Sequence, residues 1–415
     1  MWRFAKFRVV TSRKIIVVGG GAAGFFAAIA AAEVGADVTV LEKTSRFLDK
    51  VRISGGSRCN ITHACFEPRE FAARYPRGGK ALLGPFSKFS ARDSVAWFES
   101  RGVKLKTEAD GRMFPVTDSS QTIVDCLMQA AQKAGVKLRL NCAVESAVKN
   151  PDAKFELGLA GGEIIIGDKL LLATGGCRAL AAGHMAVSLG HQIETPVPSL
   201  FTFQIESPWL RSLAGVALEL AEVSVPAAKL FERGPLLVTH WGLSGPAILK
   251  ISAWGARVLH DLNYQFPLLV NWLPGSNAEK IIRDFQARRE SAGAKLLVNV
   301  PLFPLTARLW EQLVLAAGIA RETRWSALPR QQAHALARQI TRTEFFVTGK
   351  SLNKDEFVTC GGVKLGEVDF RTMESKICPG LFLAGELLDM DGVTGGFNFQ
   401  AAWTTGYIAG QALAK

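Results

Sequence analysis

Three glycines, one acid, one thiol and one imidazole carry most of the chemistry legible in this chain. Gly19, Gly21 and Gly24 stand in the spacing G-x-G-x-x-G. In that spacing the first glycine permits a tight turn. The second lets a pyrophosphate approach the backbone, and the third lets a helix pack closely on a sheet. Ala22 and Ala23 lie between them, where a helix N-terminus offers free N–H groups and a positive dipole end to phosphate. Glu42 follows Gly24 by 18 residues, where a carboxylate accepts hydrogen bonds from a ribose 2′-hydroxyl, and Lys43 is next to it. Glutamate rather than arginine at 42 argues against a 2′-phosphate.

A second loop, Gly55-Gly56-Ser57-Arg58-Cys59-Asn60, sets a cation, a thiol and an amide within three residues. Its backbone, Gly56 included, suits close approach to a cofactor, with Arg58 near phosphate. Cys59 is a candidate proton donor or a group packed on the cofactor. Its cationic neighbour favours thiolate, which counts against donation. His240, in Thr239-His240-Trp241-Gly242, is a proton donor, a substrate contact or a structural hydrogen-bonder.

These residues need a frame. Ile15 to Val18 reads as a strand buried on both faces, Phe25 to Gly35 as an Ala-rich helix and Val38 to Leu41 as a second strand. Thr117 to Gly135 is helical, and Val136 to Leu140 and Ala143 to Val148 are strands, with Val144 placed to meet an adenine through its backbone. Lys169 to Ala173 is a buried strand ending in Thr174-Gly175-Gly176, which suits a return of Ala173, Thr174 and Gly175 to the same cofactor. The texture changes near 196 to short β-prone pieces broken by Pro and Gly. Residues 278–340 then read as helices with basic faces. Near the end, Leu381 to Ala384 is a strand followed by Gly385-Glu386, then a T-G-G turn and a helix from Ala401 to Ala412. In flavin folds the last strand ends in Gly plus an acid beside the ribityl chain. The next helix aims its N-terminus at the flavin pyrimidine, where dipole and N–H groups stabilise reduced flavin. Gly385, Glu386, Gly396, Phe397 and Asn398 fit these roles.

The 415 residues are too many for one ordinary core, so two or three domains are expected. No apolar run reaches the roughly 20 residues of a transmembrane helix, so no membrane association is expected. The basic start MWRFAKFRVVTSRK lacks the apolar core of a secretory signal and reads as a ragged extension, with a transit remnant as the alternative. Seven cysteines without C-x-x-C suggest reduced thiols in a cytoplasmic protein. Six histidines show no metal-ligand spacing, so no metal is expected. The net charge of +12 is uneven: residues 43–112 hold 15 Lys and Arg against 7 Asp and Glu, and residues 275–350 hold 12 against 6. Two basic segments point to a polyanionic partner or to a plain solvated surface.

Taken together, GGGAAG at 19–24, SGGSRCNIT at 54–62, DGRMFPVTD at 110–118 and THWGLSGPAIL at 239–249 resemble a bacterial FAD-binding flavoprotein family, the BaiN/RdsA or YhiN-like type. GGV at 361–363, TMESK at 372–376 and GLFLAGELLDMDGVTGGFNFQAAWTTGYIAG at 380–410 extend the match over nearly the whole chain. The resemblance implies an α/β chain: a Rossmann-like FAD-binding domain of glutathione-reductase type, interrupted by a β-rich, barrel-like domain and a small helical domain. The corresponding ranges are 1–195 with 353–415, 196–273 with 335–352, and 274–334. It also implies FAD, with NADH or NADPH as reductant, and reduction of a carbon–carbon double bond, such as uridine to dihydrouridine in 23S ribosomal RNA. A small-molecule reductase or oxidase is the other reading. The chain departs from the family at Phe47 to Val51 and at CRALAAGHMA after Gly176; the resemblance implies that the second of these loops lies near the flavin, where it bears on substrate choice.

Overall fold

The structure, a computed structural model, describes residues 13–177, 183–302, 304–351 and 358–415. The basic start up to residue 12, residues 178–182 of the departing loop and the boundary expected at 353 lie outside the described residues. Two compact units emerge, Met1–Val197 with Val358–Lys415, and Pro198–Phe357.

In the first unit β-branched and leucine-rich runs form strands because both faces of the sheet are covered. Ile15, Ile16 and Val17 expose nothing. Five parallel strands run in the order Leu381–Leu383, Lys169–Leu172, Lys14–Val18, Asp37–Leu41 and Lys137–Arg139. Glu374–Ser375 and Val368–Asp369 extend the sheet antiparallel beyond Leu381–Leu383. The register is level at one end: Leu383 pairs with Leu172, Leu172 with Val18, Val18 with Leu41 and Leu41 with Arg139. The residues that follow each strand therefore leave the sheet side by side.

The helix after the first strand is Ala22–Ala32, buried nearly all round, and begins three residues earlier than its Ala-rich pattern suggested because Gly21 is its N-cap. It stops before Gly35, whose φ of +96° makes the turn into the second strand. The last helix is Phe397–Leu413, four residues longer at its start than expected. It lies directly against the first helix. A Cβ on Gly406 would stand 2.4 Å from the Ala23 carbonyl oxygen, and one on Gly410 2.4 Å from that of Ala27. Small residues in this helix thus permit a backbone approach that any larger side chain would block.

In the second unit the β-prone pieces close into a six-stranded barrel: Thr202–Ile205, Gly242–Ser244, Leu230–Val238, Ala217–Val225, Phe266–Asn271 and Thr343–Ser351, which pairs back with the first. The helices Ala278–Ala292, Ala307–Ala316 and Arg330–Thr341 share one continuous apolar core with the barrel, in which Trp272, Trp310 and Trp325 are buried. Among the described residues no helix is long and apolar enough to cross a membrane.

Candidate functional site

The level strand ends build the site. In open α/β sheets ligands bind outside the carboxyl ends of the strands, and here the glycine loop, Glu42, Ala173 to Gly176 and Gly385-Glu386 all leave that edge. Gly19 has φ +113°, and a Cβ on it would stand 2.2 Å from the Ala173 carbonyl oxygen, so the first loop and the T-G-G turn touch. A Cβ on Gly24 would meet the Gly19 carbonyl oxygen at 2.0 Å. Gly21 differs. Its backbone is extended (φ −93°, ψ −167°), and a Cβ there meets nothing within 4 Å. Gly56 and Gly175 face open space in the same way.

The helix Ala22–Ala32 has no side-chain cap and no acid in its first turn. The N–H groups of Ala22, Ala23 and Gly24 therefore have no partner within the helix, and they directly follow the open position of Gly21. A polar cradle without a Cβ, edged by orphan donors and a dipole end, fits a pyrophosphate. Glu42 stands beside it: its Oε2 accepts from Gly20 N–H at 2.9 Å and its Oε1 from Thr44 N–H at 2.9 Å. Glu42 carbonyl accepts from Cys142 N–H, which brings Val144 along the same edge. Lys43 is exposed next to Glu42.

At the far end, Gly385 has φ +73°, donates to Thr405 Oγ1 at 3.0 Å and sits against Ala23. Glu386 is held by Thr359 N–H at 2.9 Å and by Lys50 Nζ at 2.5 Å, close against Gly176. The last helix is capped only by Gly396, with φ +90°, whose missing Cβ lets the loop pass Thr62. Its first turn also holds no acid. Asn398 turns back and brackets Gly392, Oδ1 accepting from its N–H at 2.8 Å and Nδ2 donating to its carbonyl at 2.9 Å. Phe397 stacks on His63 with ring centroids 5.0 Å apart. A buried ion pair between Arg77 and Asp391 fixes the loop that leads into this turn.

Arg58, Cys59 and His240 were also read from the sequence as site residues, and the structure gives each a definite setting. Arg58 pairs with Glu108 at 2.7 Å and Asp118 at 3.4 Å and lies over the Phe114 ring, so its charge is spent inside the 54–118 region. Cys59, in a left-handed turn at φ +59°, exposes no surface. Burial pushes its thiol up to about 12, so the thiolate expected beside a cation is replaced by a firmly protonated thiol. His240 is exposed in the turn joining two barrel strands of the second unit, where Thr239 Oγ1 accepts from the N–H groups of Trp241 and Gly242. Lys50, Thr359, Thr405 and the Arg77–Asp391 pair were not legible in advance. Only long-range packing brings them to the loops, and each is an ordinary residue in its local stretch.

The chain matches the family model described as the HI0933-like protein Rossmann domain over residues 13–412. The chain belongs to this family. It is 31% identical over 395 residues to a ribosomal RNA dihydrouridine synthase of Escherichia coli, covering 92% of this chain and 93% of that protein. It is 27% identical over 399 residues to a 3-dehydro-bile acid delta(4,6)-reductase of Clostridium scindens, covering 94% and 96%. Among solved structures it shares a fold with a 3-ketosteroid-delta4-(5alpha)-dehydrogenase of Rhodococcus jostii, with a TM-score of 0.52 at 15% identity over 99% of both chains. A second fold match is a flavocytochrome c3 fumarate reductase, with a TM-score of 0.50 at 17% identity, covering 97% of this chain and 78% of that one. This chain is an FAD-dependent oxidoreductase of the Rossmann type. No cluster of side chains suited to a metal occurs among the described residues.

Proposed function

We propose that the protein reduces a carbon–carbon double bond, with uridine in 23S ribosomal RNA as substrate, dihydrouridine as product and NADH or NADPH as reductant. The observation that carries this reading is the likeness to a ribosomal RNA dihydrouridine synthase along 92% of the chain. FAD, when bound, supplies the hydride chemistry. The residues around it have separable tasks. The N–H groups of Ala22, Ala23 and Gly24 hold the pyrophosphate and Glu42 the adenosine ribose, with Lys43 and the backbone of Val144 alongside. Ala173, Thr174 and Gly175 form the floor, and Gly385 and Glu386 hold the ribityl chain. Phe397 and Asn398 direct a helix N-terminus at the pyrimidine end, where negative charge is favoured. Reduction also needs a proton at the carbon next to the one that takes hydride. Of the two donors read from sequence, His240 has accessible surface, whereas Cys59 reaches a substrate only if the 54–60 loop rearranges.

The test is deletion of the gene followed by mapping of dihydrouridine in 23S ribosomal RNA. Loss of the modified base, restored by the wild-type gene and not by Gly21→Val, is the expected result. Gly21→Val leaves the fold intact, since its backbone is extended and its surroundings open, but fills the pyrophosphate cradle; the purified variant loses its yellow flavin. Retained dihydrouridine in the deletion strain favours the second reading, reduction of a small unsaturated molecule, which the likeness to the bile acid reductase supports.

A further inference from the structure

We propose that the exposed side of the helix Arg330–Thr341 is the surface on which this protein docks an RNA phosphate backbone. The inference rests on the RNA reading above and names the face that serves it. Between Thr323 and Thr343 the chain holds Arg324, Arg330, Arg338 and Arg342 and no Asp or Glu. Within the helix Leu336, Ala337 and Ile340 turn to the core and are fully buried. Arg330, His334 and Arg338 recur at every fourth position, all exposed, and Arg342 follows at the C-terminal end. Every fourth residue forms one ridge of a helix, each step rising about 6 Å along the axis, which long guanidinium side chains can match to successive phosphates.

The charge on this ridge is largely unspent. Arg330 has no ion-pair partner among the described residues, and Arg338 and Arg342 share a single carboxylate, Glu344, at 3.3 and 3.9 Å. Three other arginines of the second unit are committed to the fold. Arg289 donates to the carbonyls of Trp325 and Leu328, Arg324 to that of Ala294, and Arg308 to that of Ser212. The remaining exposed neighbours on the helix are polar, Gln331 foremost, and no large apolar side chain stands out from it. A lipid surface would find charge here without an apolar anchor, whereas a nucleic-acid backbone asks for nothing else.

The test compares two triple variants of the FAD-loaded protein. One is Arg330→Gln with Arg338→Gln and Arg342→Gln. The other, matched in charge, is Lys104→Gln with Lys133→Gln and Lys229→Gln, three exposed lysines on other elements. Fluorescence anisotropy follows binding of a labelled large-subunit ribosomal RNA fragment across a salt series. The helix variant is expected to bind at least tenfold more weakly at physiological salt, with the log–log salt slope reduced by about 2, at roughly 0.7 per lost contact to a single strand. The lysine variant should change affinity less than twofold. Flavin absorbance and thermal melting verify folding, and Arg330→Gln alone, expected to lower the slope by about 0.7, serves if the triple variant misfolds. Equal losses in both variants overturn the proposal, because net charge alone then accounts for binding. Undiminished binding by the helix variant overturns this face and leaves the RNA reading standing. A wild-type protein that binds no RNA overturns both, and binding to phosphatidylserine vesicles in its place would assign the ridge to a membrane surface.

Discussion

Between residues 43 and 112 the chain carries 15 Lys and Arg against 7 acids; between 275 and 350 it carries 12 against 6. As sequences the two segments have similar surpluses. Folded, they differ. In the first, seven cations are drawn into ion pairs: Arg46, Lys50, Arg58, Arg77, Arg101, Lys106 and Arg112. Two of those pairs, Lys50–Glu386 and Arg77–Asp391, bind loops to the last stretch of the chain, on either side of the turn that starts the last helix. In the second, among the described residues, only three are in ion pairs, Arg321 with Glu311 and Arg338 and Arg342 with one shared Glu344; three other arginines donate to backbone carbonyls, and the helix ridge stays exposed. Net charge by segment therefore does not locate a polyanion site. What matters is whether each cation already has a partner, and how much water it would lose.

Removing a partner in the first segment should have the largest effect. Asp391→Ala leaves the guanidinium of Arg77 buried without its carboxylate. It should cost about 3–5 kcal/mol in denaturant unfolding, with loss of flavin as the following turn loosens. If Asp391→Ala unfolds like wild type, the pair holds nothing and the first segment is as free as the second. A smaller effect concerns the same segment's burial. The Cys59 thiol is raised to about 12 in the folded protein, while in the unfolded chain a cysteine ionises near 8.5. Above that lower value the unfolded state gives up a proton that the native state keeps, so stability falls as pH rises from about 8.5 toward 12, by about 1.4 kcal/mol per pH unit at most. Below that window Cys59 contributes no pH dependence. Cys59→Ala should flatten the decline, as measured by unfolding at pH 8 and pH 10. An unchanged slope would show that Cys59 opens to water. The smallest effect belongs to the second segment: Arg330→Gln should alter stability by under about 0.5 kcal/mol while weakening RNA binding. A large loss of stability there would mean that the ridge is spent on the fold after all.

Much of the first unit was legible in the chain because its signals are local. The order of strand, three glycines, helix, strand and acid needs only neighbours to make sense, and Gly19, Gly24 and Gly385 sit where their missing Cβ atoms are required. The second glycine loop was legible as a turn, whereas the partners of its side chains were not. Arg58 and Cys59 stand side by side in sequence, yet one is drawn to Glu108 and Asp118 and the other into the core. Sequence adjacency says nothing about which way two side chains leave a left-handed turn.

The G-x-G-x-x-G turn, the alternation of buried strands and small-residue helices, and the change to short β-prone pieces near 196 are legible in the amino-acid chain alone, because each depends on periodicity, on glycine's conformational range or on apolar content. Only the tertiary structure decided which charges stay free. An arginine's partner lies 50 residues away for Arg58–Glu108 and 314 for Arg77–Asp391. Such distances close only when the sheet register has set strand ends level and two helices have met through glycine. Electrostatic energy falls with separation and grows with burial, and both are properties of the folded chain alone.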